Sequence, residues 1–220
     1  IIVPGVGAHG ASPHMGRDPV YIASQIVTAL QSIVSREIEP LSPAVITVGA
    51  FHSGTKHNII SDRADLQLTV RANDEDTRAQ LLAAIERIAV NTGRAHGLPE
   101  EMPVQVAVSE GTPVTNNDPA LARRLNAALQ RDLGNEVLIP WQQRGMGAED
   151  FAYFVAEEYG VPGYYFAVGG TPQAAFDAAA AGGPPVPSHH SPLFKIAPRE
   201  SVTLGTEAMV AAVLELAPAS

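Results

Sequence analysis

Two histidines lie close together in a glycine-rich stretch near the start of the sequence. His9 and His14 fall within residues 5–19, which read Gly-Val-Gly-Ala-His-Gly-Ala-Ser-Pro-His-Met-Gly-Arg-Asp-Pro. The glycines permit backbone conformations that a side chain would forbid, and Pro13 stiffens the middle of the loop. Imidazole is the side chain best suited to donate, accept or bind a metal near neutral pH. On its own, the stretch favours a glycine-rich turn with two solvated histidines over a functional site.

A third histidine with metal-binding potential follows a second glycine-rich stretch. His190 lies in the sequence His-His-Ser-Pro, directly after residues 171–188, which are rich in Ala, Gly and Pro. A neutral imidazole on a rigid turn is a good ligand for a divalent metal, but zinc takes about four ligands. A pair of surface histidines explains the same residues at least as well. His190 is therefore at most one part of a metal site.

Polar and charged residues in two further places have chemistry suited to binding or orienting. Asn58 and Asp62 lie in a loop before an alternating strand, and Arg71 is expected on the polar face of that strand. A guanidinium binds a substrate carboxylate through two hydrogen bonds, although strand arginines more commonly pair with an acid at the surface. Glu149 and Asp150 are adjacent carboxylates that either cap a helix or orient a metal-binding histidine. Neither set decides between the alternatives.

Composition limits the classes of protein to which the chain could belong. Its 220 residues are 45% hydrophobic and 17% charged, so one large domain or two small ones can bury a core. The net charge of −9 disfavours nucleic acids and anionic membrane surfaces as partners. There is no cysteine, no apolar run approaching roughly 18 residues and no recognisable signal peptide. We expect a cytoplasmic protein, and the start at Ile1 inside an expected strand suggests a fragment or a processed chain.

Hydrophobic periodicity predicts an alternation of strands and helices over the first half of the chain. Strands are expected at the start, over 44–51, over 64–71 and at 104–108. One helix is expected to begin at Asp18-Pro19 and another behind the acidic residues 74–76. The order strand, helix, strand, strand, helix, strand is that of the ferredoxin-like α+β fold, a four-stranded antiparallel sheet with two helices on one face.

The second half is expected to mix helices with short strands, as part of an α/β sheet. A boundary is expected at 111–117. The predicted elements are a helix from Asp118-Pro119, a short strand at 137–139, a helix opening at Glu149-Asp150-Phe151 with Phe154 and Val155 on its buried side, a buried strand at 164–168, a mobile loop over 171–188 and a helix from about Glu200 to about Leu216.

Taken together, these stretches resemble the dinuclear metallohydrolase family that includes aminoacylase, hippurate hydrolase, auxin-conjugate amidohydrolases and glutamate-releasing carboxypeptidases. The sequence departs from the family pattern in that Ser61 replaces a proline and Leu68 replaces a glycine. The matching segments are His9, Pro13, His14, Asp18 and Pro19 in the opening stretch, Asn58-Ile59-Ile60-Ser61-Asp62, Thr69-Val70-Arg71, residues 146–151 and His190-Ser191-Pro192.

The resemblance implies a division of the chain into two parts. Residues 1–112 look like the lid and dimerisation domain, and residues 113–220 look like the C-terminal half of the catalytic α/β domain. In the family the other half of the catalytic domain supplies most metal ligands and the glutamate that activates water. The chain by itself is therefore expected to be inactive, with two divalent metal ions (Zn, Mn or Co) bound only by the intact enzyme.

The resemblance also implies roles for individual residues. His190 looks like a metal ligand, and His9 like the lid histidine that stabilises the tetrahedral oxyanion in the partner subunit's active site. Asn58 would polarise the same oxygen. The reaction implied is metal-assisted attack of water on an N-acyl amino acid or a related amide.

The remaining matches imply roles around the substrate. Arg71 and His14 would bind substrate, with Arg71 suited to its carboxylate. Glu149 and Asp150 would orient metal-binding groups. The lid domains of two chains would pair through their sheets into a homodimer. Two alternatives remain: a non-catalytic dimerisation fragment, and a small-molecule-binding ferredoxin-like module, which explains residues 1–110 but not the late motifs.

Overall fold

The computed structural model describes residues 1–109, 111–139 and 145–217, and these residues form two compact units. The first unit contains the described part of residues 1–114 together with 145–150. The second contains residues 115–139 and 151–217. Within the described ranges, no helix combines the length and the apolar character needed to cross a lipid bilayer.

The described part of the first unit contains five strands, which are β1 (Ile2–Pro4), β2 (Ala8–His9), β3 (Ala44–Ser53), β4 (Ile59–Ile60) and β5 (Arg63–Ala72). They form two antiparallel sheets. The larger sheet has the order β1-β5-β3, and the smaller sheet pairs β2 with β4. A register shift between Val48 and Ala50 interrupts the pairing of β3 with β5. The expected strands at 44–51 and 64–71 are confirmed.

The strand expected at 104–108 is reduced to a single bridge. Gln105 exchanges two backbone hydrogen bonds with Ile2, at 2.8 and 2.9 Å, on the side of β1 away from β5. No other residue of 104–108 pairs as a strand. β1 has only three residues and ends at Pro4, whose nitrogen carries no hydrogen to donate. It therefore has few backbone groups with which a fourth strand could form hydrogen bonds. The expected four-stranded sheet is therefore wrong in detail: the structure has three strands and one bridge.

Both expected helix starts in the first unit are confirmed by their capping contacts. α1 (Pro19–Ser32) begins after Asp18, whose carboxylate accepts a hydrogen bond from the amide of Val20 at 2.9 Å. α2 (Glu75–Ala95) begins after Asp74, which accepts from the amide of Thr77 at 2.7 Å. These side chains satisfy backbone donors that have no partner within the helix.

One hydrophobic core joins both helices to the larger sheet. Alternate residues of β5 face this core, and the residues between them, including Gln67 and Thr69, are polar, as expected for a sheet with one wet face. The buried residues are Ile22, Ile26, Leu30 and Ile33 from α1 and its extension, Leu81, Ala84, Ile85 and Ala89 from α2, and Val3, Ala64 and Leu66 from the strands.

The second unit is built from helices, which are α3 (Pro119–Leu133), α4 (Gln173–Ala180) and α5 (Pro198–Leu216). Arg124 and Arg131 of α3 both contact the carboxylate of Glu215 in α5, at 2.9 and 3.2 Å. Leu129 packs with Ala208 and Ala211 between these two helices. This unit also contains 3₁₀ turns at Asn135–Val137 and Glu157–Tyr159, and a third turn, Asp150–Val155, begins at the last residue of the first unit. The helices expected at Asp118-Pro119 and near the end are confirmed.

Several expectations for the second unit are wrong. Residues 137–139 and 164–168 are not strands, because the described part of this unit contains no strand with which they could pair. The expected helix at Asp150 is a 3₁₀ turn, and Phe154, expected on its buried side, is 74% exposed. The loop expected over 171–188 contains α4, whose alanines are the residue type with the highest helix propensity.

Candidate active-site residues

His9 and Asn58 lie next to each other although they are far apart in the sequence. The pairing of β2 with β4 places the Cα of His9 opposite that of Ile59, and the amide of Gly10 donates to the carbonyl of Asn58 at 2.7 Å. A Cβ built at Gly10 would lie 3.0 Å from that carbonyl oxygen, so a side chain there would crowd the close approach of the two segments. Both polar side chains are exposed. The structure thus brings together two of the residues assigned by the resemblance to one oxyanion.

A local hydrogen bond determines the tautomer of the His9 imidazole. The amide of Ala11 donates to Nδ1 of His9 at 3.1 Å. Because Nδ1 accepts this hydrogen bond, the neutral ring carries its proton on Nε2. His9 therefore presents an N–H donor at Nε2, which is the group needed to stabilise an oxyanion.

The base of the His9 loop is closed by a second backbone pairing. Val6 and Arg17 exchange two hydrogen bonds of 2.9 Å each. Gly16 is buried here, and a Cβ on it would lie 2.6 Å from the carbonyl oxygen of Val6. His14 lies within the loop on the 3₁₀ turn Pro13–Met15 and is exposed. The structure therefore places both histidines of residues 5–19 on one closed loop.

Arg71 lies at the other end of the sheet. It pairs with Val45 near the end of β5, whereas the His9 loop meets the strand start, where Pro4 pairs with Arg63. Eight residues of extended strand span roughly 27 Å. Within one chain, the structure therefore does not bring Arg71 to His9 and Asn58.

A charged pair flanks the loop end of β5. The guanidinium of Arg63 donates two hydrogen bonds to the carboxylate of Asp65, at 2.5 and 2.7 Å. These hydrogen bonds hold the pKa of Asp65 below its usual range. The amide of Gly5 donates to the carbonyl of Asp62 beside them, at 2.7 Å. Arg63 is engaged by its own strand neighbour, and Asp62 is attached to the opening loop through its backbone.

Glu149 and Asp150 are both exposed. Asp150 begins the 3₁₀ turn Asp150–Val155. Among the residues that the structure describes, neither side chain forms an ion pair or a hydrogen bond. An orienting role for these carboxylates therefore stays a prediction.

His190 lies in a tight turn of the second unit. The amide of Ser191 donates to the carbonyl of Ser188 at 2.9 Å, and the ring centroids of His189 and His190 are 4.4 Å apart. Within 1–109, 111–139 and 145–217, no three His, Asp or Glu side chains are grouped so that they could hold a metal ion. The described residues therefore do not fit a complete metal site, and His190 offers one ligand.

Comparison with known proteins identifies the family. Residues 1–96 match the family described as a peptidase dimerisation domain. The candidate amidohydrolase YhaA of Bacillus subtilis is 36% identical over 203 residues, which cover 92% of this chain and 47% of that protein. Hippurate hydrolase of Campylobacter jejuni is 36% identical over 156 residues, covering 70% of this chain and 39% of the enzyme. The chain belongs to the M20 family of peptidases and amidohydrolases. The family resemblance derived from the motifs is confirmed.

Further members and solved structures agree with this assignment. N-acetyldiaminopimelate deacetylase of Streptococcus pneumoniae is 36% identical over 159 residues, covering 71% of this chain and 40% of the enzyme. A candidate aminohydrolase from methicillin-resistant Staphylococcus aureus has a TM-score of 0.76 at 28% identity, covering 97% of this chain and 49% of that one. The chain thus spans less than half the length of these relatives.

One residue of the loop carries no motif signal in the sequence. The Arg17 side chain donates to the carbonyls of Gly16 and Gly97, at 2.8 and 2.9 Å. Sequence reasoning missed this contact because Gly97 is distant in the chain and belongs to no recognisable pattern.

Proposed function

We propose that this chain is part of an enzyme that hydrolyses the amide bond of N-acyl amino acids or related amides. The observation that carries the proposal is the pairing of the His9 loop with Asn58, in a chain whose relatives include hippurate hydrolase and N-acetyldiaminopimelate deacetylase. Both named substrates of those relatives are N-acylated amino acids. A cytoplasmic location, and the absence of nucleic-acid and membrane partners, stay predictions from composition.

The first unit would act as a ferredoxin-like lid that pairs two subunits. Support comes from the order of the Gln105 bridge, β1, β5 and β3, with two helices packed on the same core. β3 is an outer strand of its sheet and contains no Lys, Arg, Asp, Glu or Pro. Charges and proline are common means by which edge strands avoid pairing with another chain. We propose that β3 pairs with its copy in a homodimer, in line with the match to a peptidase dimerisation domain.

His9 and Asn58 would donate hydrogen bonds to the substrate carbonyl oxygen in the partner subunit. The Nε2–H of His9 and the side-chain amide of Asn58 are both donors; His9 ends β2, and Asn58 directly precedes β4, with which β2 pairs. When water attacks the amide carbon, negative charge develops on that oxygen, and donors held in advance stabilise it. Arg71 and His14 would bind the substrate carboxylate or its surroundings.

The catalytic centre would be completed by residues outside those described. His190 is one candidate metal ligand, and two divalent ions (Zn, Mn or Co) are part of the proposal through family resemblance alone. The second unit supports this proposal, because the α5 side chains Val202, Met209, Val213 and Leu214 are more than half exposed and form an open apolar groove on the surface. A contiguous exposed apolar surface of this kind is unusual on a monomeric protein and is typical of a surface that another element covers.

Activity assays on the full-length protein and on the 220-residue chain test the proposal. We expect the full-length protein to hydrolyse hippurate or N-acetyl amino acids and the chain alone to be inactive. His190→Ala should abolish hydrolysis, whereas His189→Ala, the adjacent imidazole, should retain it. His9→Ala should lower kcat by about 10²- to 10³-fold. Unchanged activity of His190→Ala would contradict the role of His190, and no hydrolysis of any N-acyl amide would contradict the function.

A non-catalytic role is the second candidate for the chain by itself. It is favoured by the lack of a metal-binding group among the described residues. Calorimetric titration of the purified chain with Zn²⁺ and Mn²⁺ separates the two candidates. Weak binding is expected from one isolated histidine, and tight binding of two ions per chain would refute the non-catalytic candidate.

A further inference from the structure

We propose that Arg17 is a positioning residue that anchors the His9 loop to the C-terminal end of α2. The inference rests on the role proposed above for His9. Arg17 has no assigned part in the motifs, and it lies between the loop and the first residue of α1. Its side chain and its backbone make separate contacts, and these two sets of contacts join different parts of the fold.

The side-chain contacts reach the end of a helix. Nε of Arg17 donates to the carbonyl of Gly97 at 2.9 Å, and Nη1 donates to the carbonyl of Gly16 at 2.8 Å. Gly97 lies just beyond α2 and has a φ of +80°, a conformation that favours glycine. The Gly97 carbonyl therefore belongs to the turn that follows the helix, and the Arg17 guanidinium ties the His9 loop to that turn.

The backbone contacts of the same residue close the loop. The N–H of Arg17 donates to the carbonyl of Val6, and the N–H of Val6 donates to the carbonyl of Arg17, both at 2.9 Å. β2, which ends at His9, begins two residues after Val6. A shift of Arg17 would therefore move the base of the strand that carries His9.

A ring contact lies in the same region and joins the same two helix ends. Tyr21, in the first turn of α1, packs edge-on against His96, with ring centroids 5.0 Å apart and planes at 85°. His96 is the residue that follows α2. The start of α1 and the end of α2 are thus joined twice, once by this pair and once by Arg17 and Gly97.

The His9 loop has little else to hold it on this side. β2 and β4 pair over only two residues each, and so short a ladder is marginal by itself. Within the part of the chain that the structure describes, the Arg17–Gly97 contact is the one side-chain hydrogen bond that joins residues 5–17 to a segment outside the loop, the turn after α2. Oxyanion donors must be placed to within a fraction of an ångström. A His9 loop that is loosely held at Val6 and Arg17 would therefore weaken catalysis more than substrate binding.

Hydrogen exchange on the purified 220-residue chain tests the anchor directly. Arg17→Met keeps the aliphatic stem and removes the donors, and Arg94→Met removes a charge from the same helix end, where the Arg94 side chain has no partner among the described residues. We expect Arg17→Met, but not Arg94→Met, to speed exchange at the amides of Gly10 and Ser12 by about 10-fold. Arg17→Lys should restore part of the protection, since it keeps a donor.

The amide of Leu66, which donates to Ile1 at 2.9 Å, serves as the internal reference for the sheet. Exchange that accelerates equally at Leu66 would mean general destabilisation and would overturn the proposal. Unchanged exchange at Gly10 and Ser12 would overturn it as well.

A double-mutant cycle in the full-length enzyme tests the link to His9. Arg17→Met should lower kcat by about 10-fold with KM nearly unchanged, and should cause no further loss in the His9→Ala background. An equal loss in both backgrounds would show that Arg17 does not act through His9. If His9→Ala leaves kcat unchanged, the role proposed for His9 fails, while the exchange measurement still decides whether Arg17 anchors the loop.

Discussion

The amide of Gly10 donates a hydrogen bond to the carbonyl oxygen of Asn58 at 2.7 Å, and this contact extends the pairing of β2 with β4 by one residue beyond each strand. A side chain at Gly10 would be crowded, because a Cβ there would also lie 3.1 Å from the carbonyl carbon of Asn58. Gly7 directly precedes β2, as Gly10 directly follows it. At Gly7 the nearest atom to an added Cβ is the carbonyl oxygen of Ile60, at 3.4 Å. The two glycines therefore provide a matched pair of test positions.

Gly10→Ala should separate the two short strands. We expect it to lower the free energy of unfolding by about 1 kcal/mol, through steric overlap with the Asn58 backbone. Gly7→Ala, measured by the same urea titration, should cost less, since its added carbon makes an ordinary contact. Equal losses in the two variants would contradict the tight approach at Gly10. In the full-length enzyme, Gly10→Ala should also lower kcat.

Substitutions of Asn58 test its proposed donor role. Asn58→Ala should lower kcat in the full-length enzyme by about 10²-fold, because one oxyanion donor is lost. Asn58→Asp should be at least as damaging near pH 7, since a carboxylate of nearly the same shape donates no hydrogen bond and repels the developing charge. Steady-state kinetics with hippurate measure both variants. An active Asn58→Asp enzyme would contradict the proposed hydrogen bond.

The packing of the two helices on the sheet should depend on Leu30. This side chain is 0% exposed in the core of the first unit, whereas Leu41 is 89% exposed. Leu30→Ala should lower the free energy of unfolding by about 2–5 kcal/mol, through lost burial and the cavity left behind. Leu41→Ala should change it by less than about 0.5 kcal/mol. Urea unfolding monitored by circular dichroism gives both values.

Asp74 should make folding stability depend on pH in the acid range. The amide and the hydroxyl of Thr77 donate to its carboxylate, at 2.7 and 2.8 Å, and hold the pKa of Asp74 below its ordinary value. Because the folded-state pKa is depressed, the stabilisation is present above the unfolded pKa and disappears as the pH falls through the folded one.

Asp74→Asn should therefore flatten part of the loss of stability between pH 5 and pH 2, since the amide still caps but does not titrate there. Asp76→Asn removes the same charge from the first turn and serves as the control. Urea midpoints across this pH range measure the effect. Identical pH profiles of wild type and Asp74→Asn would contradict the prediction.

The exposed face of α5 should tolerate polar substitution in the 220-residue chain. Val210 and Val213 are more than half exposed, so Val210→Ser and Val213→Ser should leave the free energy of unfolding within about 0.5 kcal/mol of wild type. They should also reduce the fluorescence of a bound hydrophobic dye. Ala208→Leu, at a buried position facing α3, should cost about 1–3 kcal/mol. Serine variants that destabilise as strongly would show that this face is covered.

Much of the first unit could be predicted because its signals are local. Asp18, Asp74 and Asp118 each cap a helix by bonding to amides two or three residues away, so the sequence itself contains both partners. The alternation along β5 likewise predicts its buried face, because successive side chains of a strand point to opposite sides. The motifs identified the family for a different reason, since they preserve residue types and order.

Contacts between distant segments could not be predicted in this way. The strand expected at 104–108 failed because strand pairing depends on the partner, and β1 offers three residues. The strand expected at 164–168 has no partner in the described part of its unit, and an alanine-rich stretch expected to be a mobile loop forms α4. Alternation of apolar and polar residues is therefore not sufficient to form a strand where no neighbouring strand pairs with its backbone donors and acceptors.

By itself, the sequence determined the caps, the alternating strand and the set of chemically capable residues. Only the tertiary structure decided that Asn58 lies beside the His9 loop, that Arg71 lies at the far end of the sheet, and that Arg17 reaches Gly97. The physical reason is that caps and strand alternation are interactions among near neighbours. The placement of these side chains depends on hydrogen bonds between segments that meet only after the chain has closed on its core.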